Sequence, residues 1–188
     1  MLQVFAENYE DLRKIRLSVE TIKEGALDFR RVQENPPRII PFMTPIRLRL
    51  ITSGLAAEIE KVYTGKESAL ARIVQFADGE IPKGEDWHRR LIRTAALPIP
   101  EGRPEIITKE TAKSFDELRA FRHKIRHVYE AEILPEHVLN LATTTKFAYS
   151  NFVENLLVFN AKIEPALSPK TLTEISLQLV LDTHSAER

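Results

Sequence analysis

Three side chains late in the sequence have the residue types and spacing needed for chemistry on a phosphodiester. Arg122, His127 and Tyr129 are arranged as R-x4-H-x-Y. Arginine carries a permanent positive charge on a planar group that matches phosphate oxygens, and histidine exchanges a proton near neutral pH. Cleavage of RNA needs both functions, because a base must remove the ribose 2′-OH proton and a cation must stabilise the charge that develops on the phosphate. This chemistry requires no metal ion or other cofactor.

Further cations surround this motif. Residues 119–127, RAFRHKIRH, include Arg119, His123 and Arg126 and contain no acidic residue. Residues 88–93, HRRLIR, form a second basic segment. In a chain with 27 basic and 27 acidic residues, two such segments predict a local patch for phosphates or for an acidic partner. The alternative is a solvated basic face that pairs with acids elsewhere, namely Glu110, Asp116, Glu117 or Glu130.

Two histidines of the motif region also have a spacing seen in metal sites. His123 and His127 are four residues apart, as two zinc ligands on one helix would be. Because no third ligand is apparent, we expect no metal site. At the start of the other basic segment, we expect Trp87 to anchor the core rather than to stack on a base, and His88 is a position worth mutating.

Helical geometry separates the two principal residues. At about 100° per residue, Arg122 and His127 lie roughly 140° apart around an ideal helix. Arg122, Arg126 and Tyr129 instead cluster within roughly 60° of one another. One regular helix therefore does not assemble an arginine–histidine pair. Either the helix loosens near its end, or a second subunit supplies half of the site across a two-fold axis.

Length and composition define the kind of molecule that positions these residues. The chain has 188 residues, 43% of them hydrophobic, with six glycines and no cysteine. We expect one domain with a real core and, since disulfides and thiolate metal sites are excluded, a cytoplasmic location. There is no apolar run long enough to span a membrane, no basic-then-apolar start typical of a signal peptide, and no GxGxxG or GxxxxGK[ST] phosphate loop.

Apolar residues recur at steps of three and four through most of the chain, which predicts amphipathic helices. The first runs through Leu12 to Phe29 and ends near Glu34, and a proline-rich loop follows over residues 35–45. The second runs from Ile51 to Phe76, with an interruption at Thr64–Gly65 where we expect a bend or an unsupported turn. Three more are predicted over residues 86–96, 111–130 (with Ser114 and Glu117 as a capping box) and 135–163.

Five such helices with short connections predict an all-α fold, an antiparallel up-and-down helical bundle. Its apolar positions are predicted to include Val138, Leu141, Thr145, Ala148, Phe152, Leu156, Phe159 and Ile163 in the last helix. We expect one helical domain over residues 1–165. Residues 166–188 form a C-terminal extension, as a short helix or a flexible tail.

The motif and its surroundings resemble HEPN ribonucleases, and especially HepT-type toxins. Besides R-x4-H-x-Y, the resemblance includes residues 63–92 and 103–132, and it extends over roughly residues 5–163. It implies a HEPN-like helical bundle that dimerises, or forms a higher-order assembly, with a metal-independent endoribonuclease site at the subunit interface. Arg122 and His127 would be the catalytic pair. His123, Arg126 and Arg119 would support the site or bind RNA.

The resemblance also implies a partner. The antitoxin of such toxins is a nucleotidyltransferase of the MntA type, which attaches AMP to the motif tyrosine, here Tyr129. A bulky anionic group there would mask a phosphate-binding cleft. The sequence departs from the family at Glu130, where glycine is frequent, and at Leu134, where an aspartate would cap the next helix. A non-catalytic HEPN partner that binds a nucleotidyltransferase or a nucleotide is the main alternative, and a plain helical scaffold is a third.

Overall fold

The computed structural model describes residues 2–36, 43–127 and 133–163. These ranges contain five helices and no strand: α1 (Leu2–Glu34), α2 (Met43–Asp78), α3 (Trp87–Ala95), α4 (Lys109–His127) and α5 (Pro135–Ile163). The predicted all-α class is confirmed. The predicted ends of the first helix before Pro36 and of the second helix at Gly79, which has a φ of 81°, are also confirmed.

Ion pairs define the direction of the first two helices. Near the end of α1, Asp28 pairs with Arg47 at the start of α2, with 3.1 Å between Nη2 and Oδ2. Near the start of α1, Asp11 pairs with Arg72 late in α2. The two helices are therefore antiparallel.

Contacts between the later helices continue this alternation. Arg126 near the end of α4 reaches Glu60 in α2, whereas Phe115 nearer its start lies under the amine of Lys66. Phe115 also packs edge to face on Phe152 of α5, with 5.1 Å between ring centroids. Residues Leu2–Glu34, Met43–Asp78, Lys109–His127 and Pro135–Ile163 thus form the predicted up-and-down bundle, and the short α3 packs against α2 and α4.

The core lies between the four long helices. Most positions of the predicted apolar stripes are buried. These include seven of the eight predicted positions of α5 and five of the six of α1, namely Leu12, Ile15, Val19, Ile22 and Phe29. Ile163 of α5 and Ala26 of α1 are only partly buried. Phe76 is an exception, since it is 46% exposed and Val74 takes the buried position. An α-helix repeats every 3.6 residues, so a step of three from Ile73 to Phe76 leaves the side of α2 that faces the core. Val74 lies on that side instead.

The expected bend at Thr64–Gly65 is wrong, because α2 is helical without interruption from Met43 to Asp78. Gly65 instead allows α1 and α2 to approach closely. A Cβ atom at this position would lie 2.6 Å from Cγ1 of Ile15, so a larger residue would force the two helices apart. The gap in the apolar stripe is thus a packing contact between helices.

The start of α4 also differs from the prediction. The helix begins at Lys109 and is capped by Thr108, whose Oγ1 accepts a hydrogen bond from the Thr111 amide at 3.2 Å. Ser114 lies within the helix and donates to the Glu110 carbonyl, so it is not a cap. The sequence T-x-x-T at residues 108–111 offers the same hydroxyl one turn earlier. The Thr108 amide in turn donates to Asn155 of α5.

The loop predicted over residues 35–45 is shorter than expected, since α2 already begins at Met43. Pro45 lies in the first turn, where its missing N–H would have had no helical partner. Residues 37–42 and 128–132, the boundary at residue 165 and the predicted extension 166–188 lie outside the described residues.

A buried ion pair fixes the connection between α3 and α4. Arg103 is 6% exposed and forms two bonds to Asp78 at the end of α2, of 2.5 and 2.7 Å. Its remaining donors bind the carbonyls of Thr94, Leu97 and Pro104. Arg103 therefore attaches the loop after α3 to the end of α2.

Among the described residues, no helix combines the length and apolarity needed to cross a membrane.

Candidate functional site

Arg122 and His127 of the R-x4-H-x-Y motif lie in the last two turns of α4. The helix is regular through His127, so positions 122 and 127 remain about 140° apart around its axis. Loosening of the helix before His127 therefore does not bring the two positions together within one subunit. The side chain of His127, and the whole of Tyr129 and Glu130, lie outside the described residues.

Two guanidinium groups of α4 converge on one carboxylate of α2. Arg126 Nε lies 2.6 Å from Oε1 of Glu60, and Arg122 Nε lies 3.7 Å from the same oxygen. Arg122 is mostly buried, with 18% of its side chain exposed, whereas Arg126 is 55% exposed. The predicted sharing of one face by Arg122 and Arg126 is confirmed. This surface presents two cations to a single anionic oxygen.

Arg122 is held on an aromatic ring. Its guanidinium carbon lies 5.8 Å from the ring centroid of Tyr63, a distance suited to a cation–π contact. Its Nε atom is buried and has no hydrogen-bond partner in the described part of the chain. Since a buried donor without a partner costs free energy, the position favours an additional acceptor near Arg122.

A hydrogen-bonded network supports Tyr63 from behind. The fully buried hydroxyl of Tyr63 donates to Glu67 Oε1 at 2.5 Å, and the ring Nδ1 of His88 contacts the same oxygen. Burial, together with the neighbouring Glu67 carboxylate, raises the pKa of Tyr63 above its usual value. His88 stacks on Trp87, with 3.9 Å between ring centroids. This network links α3 to the ring beneath Arg122.

The remaining predicted residues lie around this pair. Arg119 is one turn before Arg122 and binds Asp116 with 2.6 Å between Nε and Oδ1, as the alternative of paired charges predicts. His123 is exposed on the surface of α4. Trp87 is half-buried and packs against the core, which confirms the expectation of an anchor. The ring of His88 contacts the buried carboxylate of Glu67 and is only partly exposed to solvent.

The contribution of α2 to the site was not predicted from the sequence. Glu60, Tyr63 and Glu67 follow one another at intervals of three and four residues and so share a face of that helix. Their signal in the sequence is a polar row beside the apolar stripe of Ile59 and Val62. That signal does not by itself identify which basic segment the row will meet.

A second unforeseen group is the amine of Lys66, next to this network. Lys66 is completely buried, and its Nζ lies 4.2 Å from the ring centroid of Phe115. It has no hydrogen-bond partner among the described residues. Burial away from water lowers its pKa to about 7.

No group of three or more histidine, aspartate or glutamate side chains within the described ranges is arranged to hold a metal ion. The chemically distinct features of the site are thus the two guanidinium groups, the acceptor between them and the aromatic support below.

A family model described as HepT-like protein matches residues 54–163, which is more than half of the chain and includes α3, α4, α5 and most of α2. The chain therefore belongs to the HepT-like family, within the HEPN superfamily. No curated protein and no solved structure matches the chain.

Proposed function

We propose that this HepT-like protein is the toxin of a toxin–antitoxin pair and acts as a metal-independent endoribonuclease. The observation that carries the proposal is the convergence of Arg122 and Arg126 on one carboxylate oxygen of Glu60. Two guanidinium groups arranged around a single anionic oxygen also suit a phosphate. The resemblance of the R-x4-H-x-Y motif to HEPN ribonucleases supports the same chemistry.

In the proposed reaction, His127 removes the proton from a ribose 2′-OH. The 2′ oxygen then attacks the adjacent phosphorus, and the bond to the 5′ oxygen breaks as that oxygen takes up the proton that His127 now carries. The products are a 2′,3′-cyclic phosphate and a free 5′-OH. Arg122 stabilises the negative charge that builds on the phosphate oxygens, and a phosphate oxygen replaces Glu60 at one or both guanidinium groups.

A homodimer explains how the pair is completed. Because positions 122 and 127 lie on different flanks of one helix, we propose that Arg122 of one subunit acts with His127 of the other. A two-fold axis beside α4 would bring these groups into one groove.

We further propose that the antitoxin is an MntA-like nucleotidyltransferase that acts on Tyr129. On a regular helix, position 129 lies roughly 20° from position 122 and roughly 60° from position 126. An added AMP would introduce a phosphate beside the two arginines and would compete with RNA for them.

Cleavage without metal tests the proposal directly. The purified protein is incubated with total tRNA and mRNA in EDTA, beside Arg122→Ala, His127→Ala and a control, Arg30→Ala, which removes a cation from the far side of the bundle. We expect cleavage by the wild-type protein and the control, and none by the two motif variants. An uncleaved pattern for the wild-type protein, or equal cleavage by His127→Ala, would overturn the proposal.

The second candidate is a non-catalytic HEPN partner of a nucleotidyltransferase. It is favoured by Glu60, which already occupies both arginines within one subunit. Co-expression with the nucleotidyltransferase, followed by mass spectrometry, separates the candidates. AMP on Tyr129, together with relief of growth arrest, supports a toxin. A stable complex with the nucleotidyltransferase supports an adaptor if the protein expressed without the nucleotidyltransferase causes no growth arrest.

A further inference from the structure

A cleft of about 340 Å³ lies between α3 and the first half of α4. Its floor is apolar and includes Ile92, Ala96 and Ala112, while Leu97 lines it at the end of α3 and is 47% exposed. This volume is within the range of small-ligand sites, which combine an apolar floor with a few polar groups.

Three cations line the same cleft: Arg89 and Arg93 from α3, and Lys109 from α4. None of them has an ion-pair partner among the described residues. The single acid of the lining, Asp116, is bound to Arg119 at 2.6 Å. The cleft therefore has an excess of positive charge over an apolar floor, in a chain whose net charge is zero.

The cleft is held in place by the buried ion pair of the connecting loop. Arg103 binds the carbonyl of Leu97 at 3.0 Å and that of Thr94 at 3.1 Å, and it is fixed by Asp78. Thr108 caps α4 directly before Lys109. Since both walls are anchored, the cleft does not require ordering of a loop before a ligand binds.

Ala112 of the cleft floor and Arg126 of the arginine pair lie along one flank of α4. Ala112, Asp116, Arg119 and Arg126 recur at steps of three, four and seven residues, so they share this flank, which meets α3 at one end and Glu60 of α2 at the other. Along the axis, Lys109 and Arg126 lie about 25 Å apart at 1.5 Å per residue. That distance corresponds to about seven stacked nucleotides at roughly 3.4 Å each.

We propose that this cleft is a nucleotide-binding subsite for single-stranded RNA, distant from the cleavage position. A phosphate would bind Arg89, Arg93 and Lys109, and the attached base would lie on the floor formed by Ile92 and Ala112. The choice of RNA as the ligand rests on the proposed function. The subsite would determine how long an RNA the protein binds and how tightly. It assigns a role to the second basic segment, residues 88–93, which the cleavage chemistry does not use.

Binding of an uncleavable RNA tests the subsite. The probes are fluorescein-labelled, 2′-O-methylated oligonucleotides of about 12 and about 3 nucleotides, and only the longer one spans both sites. Arg89→Gln/Arg93→Gln is compared with Arg30→Gln/Lys146→Gln, which removes the same charge between α1 and α5. Ala112→Leu fills the cleft without a change in charge. Circular dichroism and thermal unfolding establish that each variant is folded.

For the longer probe, we expect Kd to rise about tenfold in Arg89→Gln/Arg93→Gln and the slope of log K against log salt to fall by about 1.4, for two lost phosphate contacts. Ala112→Leu should weaken binding with no change in that slope, and the Arg30→Gln/Lys146→Gln control should stay within about twofold of the wild type. Equal loss in both double variants, or no loss in the cleft variant, would overturn the subsite.

The same experiment separates this inference from the proposed function. If the wild-type protein cleaves the unmethylated RNA but the cleft variant binds like the control, the subsite is wrong and the ribonuclease proposal stands. If the protein binds the longer probe through the cleft but cleaves no RNA, the subsite stands and the ribonuclease proposal is wrong.

Discussion

The buried amine of Lys66 gives the molecule a stability that should increase with pH. Its pKa is lowered from 10.5 to about 7 because burial removes water from the charged form, and no described acid compensates. Between these two values the unfolded chain binds the proton and the folded chain does not. The free energy of unfolding must therefore rise as pH increases through this interval.

The size of the effect follows from the two pKa values. Between pH 7 and pH 9, the linkage relation gives an increase of about 2 kcal/mol in the free energy of unfolding from this residue alone. Replacement with methionine, which fills a similar volume, removes an ionisation cost of about 4 kcal/mol at pH 7 and loses about 1 kcal/mol of contact between the amine and the Phe115 ring. Lys66→Met should therefore be about 3 kcal/mol more stable at pH 7.

Urea unfolding at pH 7, 8 and 9 measures this effect as the difference between the wild-type protein and Lys66→Met. Other titrating groups cancel in the difference, and Tyr63, whose pKa is raised, affects stability only above about pH 10. Lys61→Met, an exposed lysine on the same helix, is the control and should keep the wild-type slope. Equal pH slopes in the wild type and Lys66→Met, or a less stable Lys66→Met at pH 7, would refute the reasoning.

Two other substitutions test neighbouring features. Glu60→Gln removes the carboxylate that competes for the two arginines, so a 2′-O-methylated RNA should bind roughly tenfold more tightly by fluorescence anisotropy. The control is Glu58→Gln, which removes an acid paired with exposed Lys61 and should not change Kd. Unchanged binding in Glu60→Gln would show that Glu60 does not occupy the phosphate position. Arg103→Ala leaves Asp78 without its partner and should lower the free energy of unfolding by about 3–5 kcal/mol in urea, and a loss below about 1 kcal/mol would mean that the pair does not fix the loop.

Much of the fold was predictable because it depends on local periodicity. The apolar stripes of α1 and α5 repeat at helical spacing, and prolines mark the regions between helices. These two helices could therefore be predicted from the sequence alone. Gly65 was misinterpreted because a gap in a stripe has two physical causes: a break in the helix, and a close approach of another helix. Only the position of Ile15 distinguishes them.

The candidate site was predictable only in part. The spacing of Arg122 and Arg126 on α4 placed both on one face, since that relation lies within one helix. Glu60 and Tyr63 come from α2, more than 55 positions earlier in the chain, so their contact with the arginines depends on tertiary packing. The same is true of Lys66, whose burial contradicts the ordinary preference of lysine for the surface.

The most direct test of the central claim is complementation between two inactive subunits. Arg122→Ala and His127→Ala chains carrying different tags are co-expressed, and the mixed dimer is purified through both tags. If arginine and histidine act across the interface, one of its two sites contains both intact groups, and RNA cleavage in EDTA should recover to about half the wild-type rate. A mixed dimer as inactive as either parent, or chains that do not co-purify, would contradict the composite site.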